Sequence, residues 1–394
     1  MRSVLLSLLL GAAVLHAGAV DNQTVGAYLQ KMRETADGIW LDKASKLVEQ
    51  MLREDPASYE ARKRRIEIEL FRHEFTSVIQ HSRELTAVRP GDPDNWGTLG
   101  DAFMERGGYD DAADAYQEMV SLRHSLASYN RVAFYRFVTG DAEGAIEIME
   151  KAVDMGGLAG EHVAWCLTDL GHMYFKTGNV AKAEESYRRA LLMFPNYHRA
   201  LAGLANALAA TGRLHEAIAS LEHAQAIVPL PEYASMLEAL YSSAGRTAAA
   251  AHQRELLGLI DALGRARGEK ANRALAFAFA DQNRNLTRAL ELATAELDYR
   301  RDVYTYDALA WALYRNGRYV EAEENMLRAL AQNTPEPAFA FHAGMIASAL
   351  GRTDEASRHF RRAATLNPDF DVRFAAELRA ALRPPAGQTA AVVR

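Results

Sequence analysis

Cysteine is almost missing from this chain. Its single copy, Cys166, allows no internal disulfide and no cysteine-based zinc site, so packing must hold the fold together. Glycine and proline are sparse as well, 26 and 11 in 394 residues, too few for long flexible or polyproline linkers between separate domains. A strong charge of one sign is also lacking. The formal net charge is −6, which argues against a protein that coats nucleic acid or anionic lipid through its overall field. After the first twenty residues no apolar run approaches the ~20 residues that span a bilayer. What is present is globular: 49% hydrophobic and 24% charged residues, sufficient to bury a core. One continuous architecture is therefore expected.

The N-terminus reads as an address. Met1-Arg2-Ser3 is a short positive start, Val4 to Leu15 is an apolar run, and Ala17-Gly18-Ala19 is a small-x-small triplet of the kind signal peptidase cuts. The run is too short for a membrane anchor, and no cysteine follows it to carry a lipoprotein anchor. Residues 1–19 are expected to be removed as a secretory signal, taking only the charge of Arg2 and changing the net charge from −6 to −7. The mature chain is then expected to be secreted or periplasmic, without stable membrane insertion. A lone cysteine suits that oxidising setting, because it has no internal partner with which to mispair.

Self-similarity organises the rest. The clearest unit carries Leu167, Leu170-Gly171, Tyr174, Gly178, Ala183, Tyr187, Ala190 and Pro195. Thirty-four residues on stand Leu201, Leu204-Ala205, Leu208, Gly212, Ala217, Leu221, Ala224 and Pro229. Extending the register by one small position gives Ala44, Val78, Ala112, Ala145, Ala183, Ala217, Ala250, Ala289, Ala322 and Ala356, with Gly107, Gly140, Gly178, Gly212, Gly245, Gly317 and Gly351 each five residues earlier. Two apolar stretches at helical spacing, broken by a glycine that ends a helix cheaply, make a helical hairpin. Such a hairpin leaves an apolar face that only stacking on neighbours can bury.

This spacing resembles the tetratricopeptide repeat, with units starting near residues 25, 59, 93, 126, 164, 198, 231, 270, 303 and 337. The resemblance implies an all-α fold, an α-α superhelix of about ten hairpins with the first helices lining its concave side. The expected divisions are a signal peptide at 1–19, degenerate units at 20–92, a solenoid at 93–371, a capping helix at 372–385 and a disordered tail at 386–394. Units near 126 and 231 run long; the extra residues are placed in the loop 154–161 and in a second helix extended through Ala248 to Leu263, ahead of a loop Gly264 to Gly268.

No catalytic pattern emerges. His73-Glu74 and His215-Glu216 lack the second histidine that a zincin helix needs, and there is no phosphate-cradling loop or nucleophile elbow. Cys166 lies on a first helix with no histidine in a catalytic pattern, which points to a structural role. No cofactor, metal or nucleic acid is expected. The basic run Arg62-Lys63-Arg64-Arg65 reads as a solvated helix, with Glu60–Arg64, Lys63–Glu67 and Arg65–Glu69 as opposite-charge pairs four apart.

In the resembling family, partner segments lie in the concave groove. The matching positions here are Asn130, Phe134, Phe137, Trp165, Thr168, His172, Phe175, Lys176, Arg199 and Asn206. A second cluster holds Tyr304, Asp307, Trp311, Tyr314 and Arg315, with Phe341 and Met345 beside it. A smooth stretch, Ser235, Ala239, Ser242 and Ser243, separates the two. Rigid aromatics mixed with polar groups suit a protein or peptide partner. The family's carboxylate clamp is absent, because Lys63 is followed by Glu67 and the next unit presents Asp94, Gly97 and Asp101. The expected function is a non-catalytic scaffold or adaptor. The alternatives are an accessory subunit of an envelope enzyme, polysaccharide-synthesis or secretion complex, and an enzyme hidden in the loops near 154–161 or 264–270.

Overall fold

The computed structural model describes residues 21–35, 37–157 and 160–383. The expected signal peptide, the expected tail and two residues of the 154–161 loop lie outside these. Among the described residues every regular element is a helix, and the fold is an α-α superhelix of tetratricopeptide type. The chain divides into two compact units, the first ending at His124.

The first unit holds three hairpins: α1 (21–35) with α2 (Gly38–Glu54), α3 (Tyr59–Phe71) with α4 (Phe75–Val88), and α5 (Pro93–Glu105) with α6 (Tyr109–Leu122). Seven follow in the second unit: α7 (Leu126–Val138) and α8 (Ala142–Met155), α9 (Gly160–Lys176) and α10 (Val180–Met193), α11 (His198–Ala210) and α12 (Leu214–Ile227), α13 (Pro231–Ser243) and α14 (Thr247–Ala266), α15 (Arg273–Asp281) and α16 (Leu286–Glu296), α17 (Val303–Arg315) and α18 (Tyr319–Leu330), and α19 (Pro337–Ala349) and α20 (Thr353–Leu366). The extra residues of the long units lengthen helices: α9 gains a first turn beginning at Gly160, and α14 runs on to Ala266.

The small residue of each unit marks where the second helix presses on the first. Ala44, Val78, Ala112, Ala145, Ala183, Ala217, Ala289 and Ala322 are completely buried, and Ala250 and Ala356 nearly so. A larger side chain at these positions would force the paired helices apart. The mid-unit glycines adopt the left-handed conformation, as at Gly178 (φ +82°) and Gly212 (φ +79°). Two units that lack the glycine reach the same conformation with His73 (φ +58°) and Asn283 (φ +52°). The hairpin turn is thus kept where its sequence mark is lost.

An aromatic–glycine clasp recurs inside the hairpins. A Cβ at Gly171 would lie 2.5 Å from the Tyr187 ring, one at Gly100 2.4 Å from the Tyr116 ring, and one at Gly344 2.5 Å from the Phe360 ring. Tyr187 is held from a second side by Gly203 of the next hairpin, at 2.3 Å. The ring is fully buried, and its hydroxyl meets His172 Nδ1 at 2.8 Å.

The second unit closes on itself. The Thr334 hydroxyl, between α18 and α19, donates to the Val138 carbonyl at 2.5 Å, and Asn367 Nδ2, after α20, donates to the Phe175 carbonyl at 2.8 Å. Each bond joins residues more than 190 positions apart, so the last hairpin meets the first two and the coil completes one turn. Gly178 lies at this seam: a Cβ there would sit 2.5 Å from the Leu366 carbonyl oxygen, whereas one at Gly212 would meet nothing within 4 Å. Both Gly178→Ala and Gly212→Ala place a side chain in left-handed backbone, at about 1–2 kcal/mol each. Gly178→Ala is expected to cost clearly more in urea denaturation, because it also pushes the seam apart. Equal losses would mean that the closure adds no stability.

The segment expected to cap the array from residue 372 differs. Helix α21 begins at Ala375 and ends at Ala381. Before it, Asp371 accepts a hydrogen bond from the Arg373 backbone N–H at 2.8 Å, and this turn delays the helix while aiming Arg373 and Phe374 inward. Residues 367–374 form a strap across the inside of the coil, and Phe374 stacks on Phe341 with ring centroids 5.0 Å apart.

Candidate functional site

Closure brings together two residue clusters that lie far apart in sequence. His172, Phe175 and Lys176 on α9 face Tyr304 on α17 across a cavity of about 670 Å³, whose other walls come from α11, α13, α15, α19 and the strap. The Lys176 ammonium sits 2.6 Å from a Glu336 carboxylate oxygen and 5.2 Å from the centre of the Tyr304 ring. Burial disfavours this charge, but Glu336 and Tyr304 outweigh it and hold the ammonium above the ordinary lysine range. The smooth stretch on α13 serves a purpose here. Because Ser235 and Ala239 are small, the strap has room to enter, and Arg373 donates to Ser235 Oγ at 3.0 Å.

Arg373 is the electrostatic anchor of the strap. Its guanidinium lies 2.7 Å from Asp281 and 2.5 Å from Asp371. Burial opposes its charge, yet these carboxylates raise its pKa above the ordinary arginine value. Asp281 also accepts from the Trp311 indole at 2.8 Å, while its burial pushes its own pKa up. Arg273 is likewise neutralised, by Asp302 at 2.9 Å. On the opposite wall burial lowers the pKa of His172 to about 3, so its imidazole stays neutral near pH 7.

The sequence-predicted residues divide into three groups. His172, Phe175, Lys176, Asn206, Tyr304 and Asp307 line the cavity, although Asp307 is 2% exposed and bound to His342 Nδ1 at 2.8 Å. Phe134 and Trp165 are exposed at 40% and 39%, and the Arg199 guanidinium lies 4.4 Å from the Trp165 ring centre. The rest serve packing. Phe137, Thr168 and Trp311 are buried, Asn130 turns to the Met149 sulfur, and Tyr314 and Arg315 stack on Trp311. First helices packed side by side, α7 on α9 and α17 on α19 among them, cover these side chains. Sequence reasoning missed Glu232, Arg273, Phe277, Glu336 and the strap, which the closure brings to the cavity.

The other sequence candidates are accounted for by packing. Cys166 is completely buried, and burial raises its thiol to about pKa 12, so it is inert as a nucleophile at neutral pH. In the basic run Arg65 pairs with Glu69 along the helix as expected, at 3.7 Å, while Arg64 pairs with Glu67, three positions on, at 2.8 Å in place of Glu60. Arg62 instead meets Glu84 at 2.7 Å, and Lys63 meets Asp92 and Asp94 at 3.0 and 3.1 Å, because the neighbouring helices bring carboxylates closer than the same helix does.

Two family models described as tetratricopeptide repeat match the chain, one over residues 124–196 and one over 168–230 and 308–369. The chain carries tetratricopeptide repeats. Solved structures similar to this repeat chain include a MamA protein, 21% identical over 41% of this chain and 86% of that one, with a TM-score of 0.33. PilW, titled a widely conserved type IV pilus biogenesis factor, is 15% identical over 52% of this chain and 92% of its own, with a TM-score of 0.44. A thermophilic TPR protein of Thermus thermophilus, TTC0263, is 17% identical over 48% of this chain and 99% of its own, with a TM-score of 0.42. No curated protein matches the chain. Among the described residues no helix is long and apolar enough to cross a membrane.

Proposed function

We propose that the chain is a non-catalytic scaffold or adaptor of an extracytoplasmic assembly, in the periplasm or secreted, and that its second unit holds a segment of a partner protein in the central cavity. The observation that carries this reading is the meeting of the α9 and α17 clusters around about 670 Å³ of space, a volume in the range of ligand sites and walled by aromatic and polar side chains. Rigid rings supply contact area at low entropic cost, and the fixed polar groups set register. The location rests on the signal-like N-terminus.

A photo-crosslinking amino acid placed at Met236, in the cavity wall, and separately at Leu192, an 82% exposed residue of α10, tests the reading in native cells. Adducts from position 236 and none from 192 are expected, in the extracytoplasmic fraction, from a chain whose N-terminal sequence starts near residue 20. Adducts from 192 alone would overturn the site. An uncleaved chain in the cytoplasm would overturn the location.

A further inference from the structure

The cavity wall carries an unbalanced charge. Each basic side chain that lines it already has a carboxylate partner: Lys176 has Glu336, Arg273 has Asp302, Arg373 has Asp281 and Asp371, and Arg379 has Asp369. Glu232, in the first turn of α13, also lines the cavity but makes no ion pair within 4 Å among the described residues. Glu232 is solvent-exposed within the cavity, and Arg199 and Arg273 act on it only at longer range. A helix N-terminus favours a carboxylate there, yet it leaves the outward oxygens of Glu232 without a counter-ion. Phe277, half-buried with one face stacked on His342, lines the same cavity, whereas the Tyr304 ring is already occupied by Lys176 and Arg273, 5.2 and 5.9 Å from its centre.

The chain also contains its own example of what this interior accepts. Arg373 of the strap enters among carboxylates and a small hydroxyl residue, while the adjoining Phe374 packs edge-on to Trp311 at 5.8 Å. Guanidinium and ammonium groups gain both from an unpaired carboxylate and from aromatic faces, most of all where water is partly excluded. We propose that the cavity takes a cationic side chain, arginine or lysine, of a partner segment, with the Glu232 carboxylate as counter-ion and Phe277 as an aromatic wall of the same cavity. An acidic segment is disfavoured, because among the described residues no lining lysine or arginine is left uncompensated to receive it.

This rests on the groove-binding reading above, and the test separates the two. Residues 20–394 are panned against a random decapeptide library displayed on phage, in parallel with Glu232→Gln and with Met236→Trp, which narrows the cavity; circular dichroism establishes that each variant is folded. Selected peptides are expected to be enriched in arginine or lysine beside an apolar residue, to lose at least tenfold in affinity with Glu232→Gln, and to be lost with Met236→Trp. Peptides that Met236→Trp blocks but that lack basic residues, or that bind Glu232→Gln unchanged, would overturn the cationic assignment and leave the groove standing. If no peptide is sensitive to Met236→Trp, both fall.

Discussion

Arg373→Ala is expected to destabilise the second unit by about 3 kcal/mol or more and to loosen its closure. The substitution removes the guanidinium from between Asp281 and Asp371 and leaves the 8% exposed Asp281 side chain as an uncompensated charge, the costly way to break a buried pair. Urea denaturation reads the energy, and small-angle scattering reads the loosening as a larger radius of gyration. The charge effect can be isolated. In an Arg373→Met background, Asp281→Asn should recover part of the loss by removing the stranded charge, so the two substitutions should not add. Strict additivity would show that Arg373 acts only through its packing.

The second large effect is expected at Tyr187. Its ring fills the space between Gly171 of its own hairpin and Gly203 of the next, so Tyr187→Ala empties a fully buried site that glycine backbones cannot collapse into. A loss of about 3–5 kcal/mol follows from aromatic-to-alanine truncation in a core. Tyr187→Phe keeps the ring and removes only the hydrogen bond to His172, at about 1 kcal/mol. Comparable losses for the two in chemical denaturation would place the stabilisation in the hydroxyl and contradict the clasp.

The repeat itself was legible because it is periodic. A small residue at one position and a glycine five before it recur often enough to set the register. Unit starts read near 59, 93, 126, 198, 231, 303 and 337 coincide with helix starts to the residue. His73 escapes such a reading, since its residue type marks no turn, and Asn283, a type that tolerates left-handed backbone, lies six rather than five residues before Ala289 and so falls outside the glycine register.

The closure was not legible, for a related physical reason. It depends on single contacts made by loop residues, Thr334 and Asn367, that repeat nowhere in the chain. Arg373 read naturally as one charge on an amphipathic helix; its inward turn needs Asp281, which is 92 positions away and has no sequence link to it. Candidate groove residues suffered the opposite error. Phe137, Thr168 and Trp311 occupy the inner-face positions of their helices, yet adjacent first helices cover them, and that lateral packing is invisible to a single-helix pattern.

An open array of hairpins can lengthen or shorten by one copy at little cost, since a new end simply replaces the old one. The second unit has given up that freedom. With Thr334 and Asn367 tied to the turns that end α7 and α9, an inserted or deleted hairpin would carry both donors far out of register, so the copy number of this unit is fixed by its own circumference.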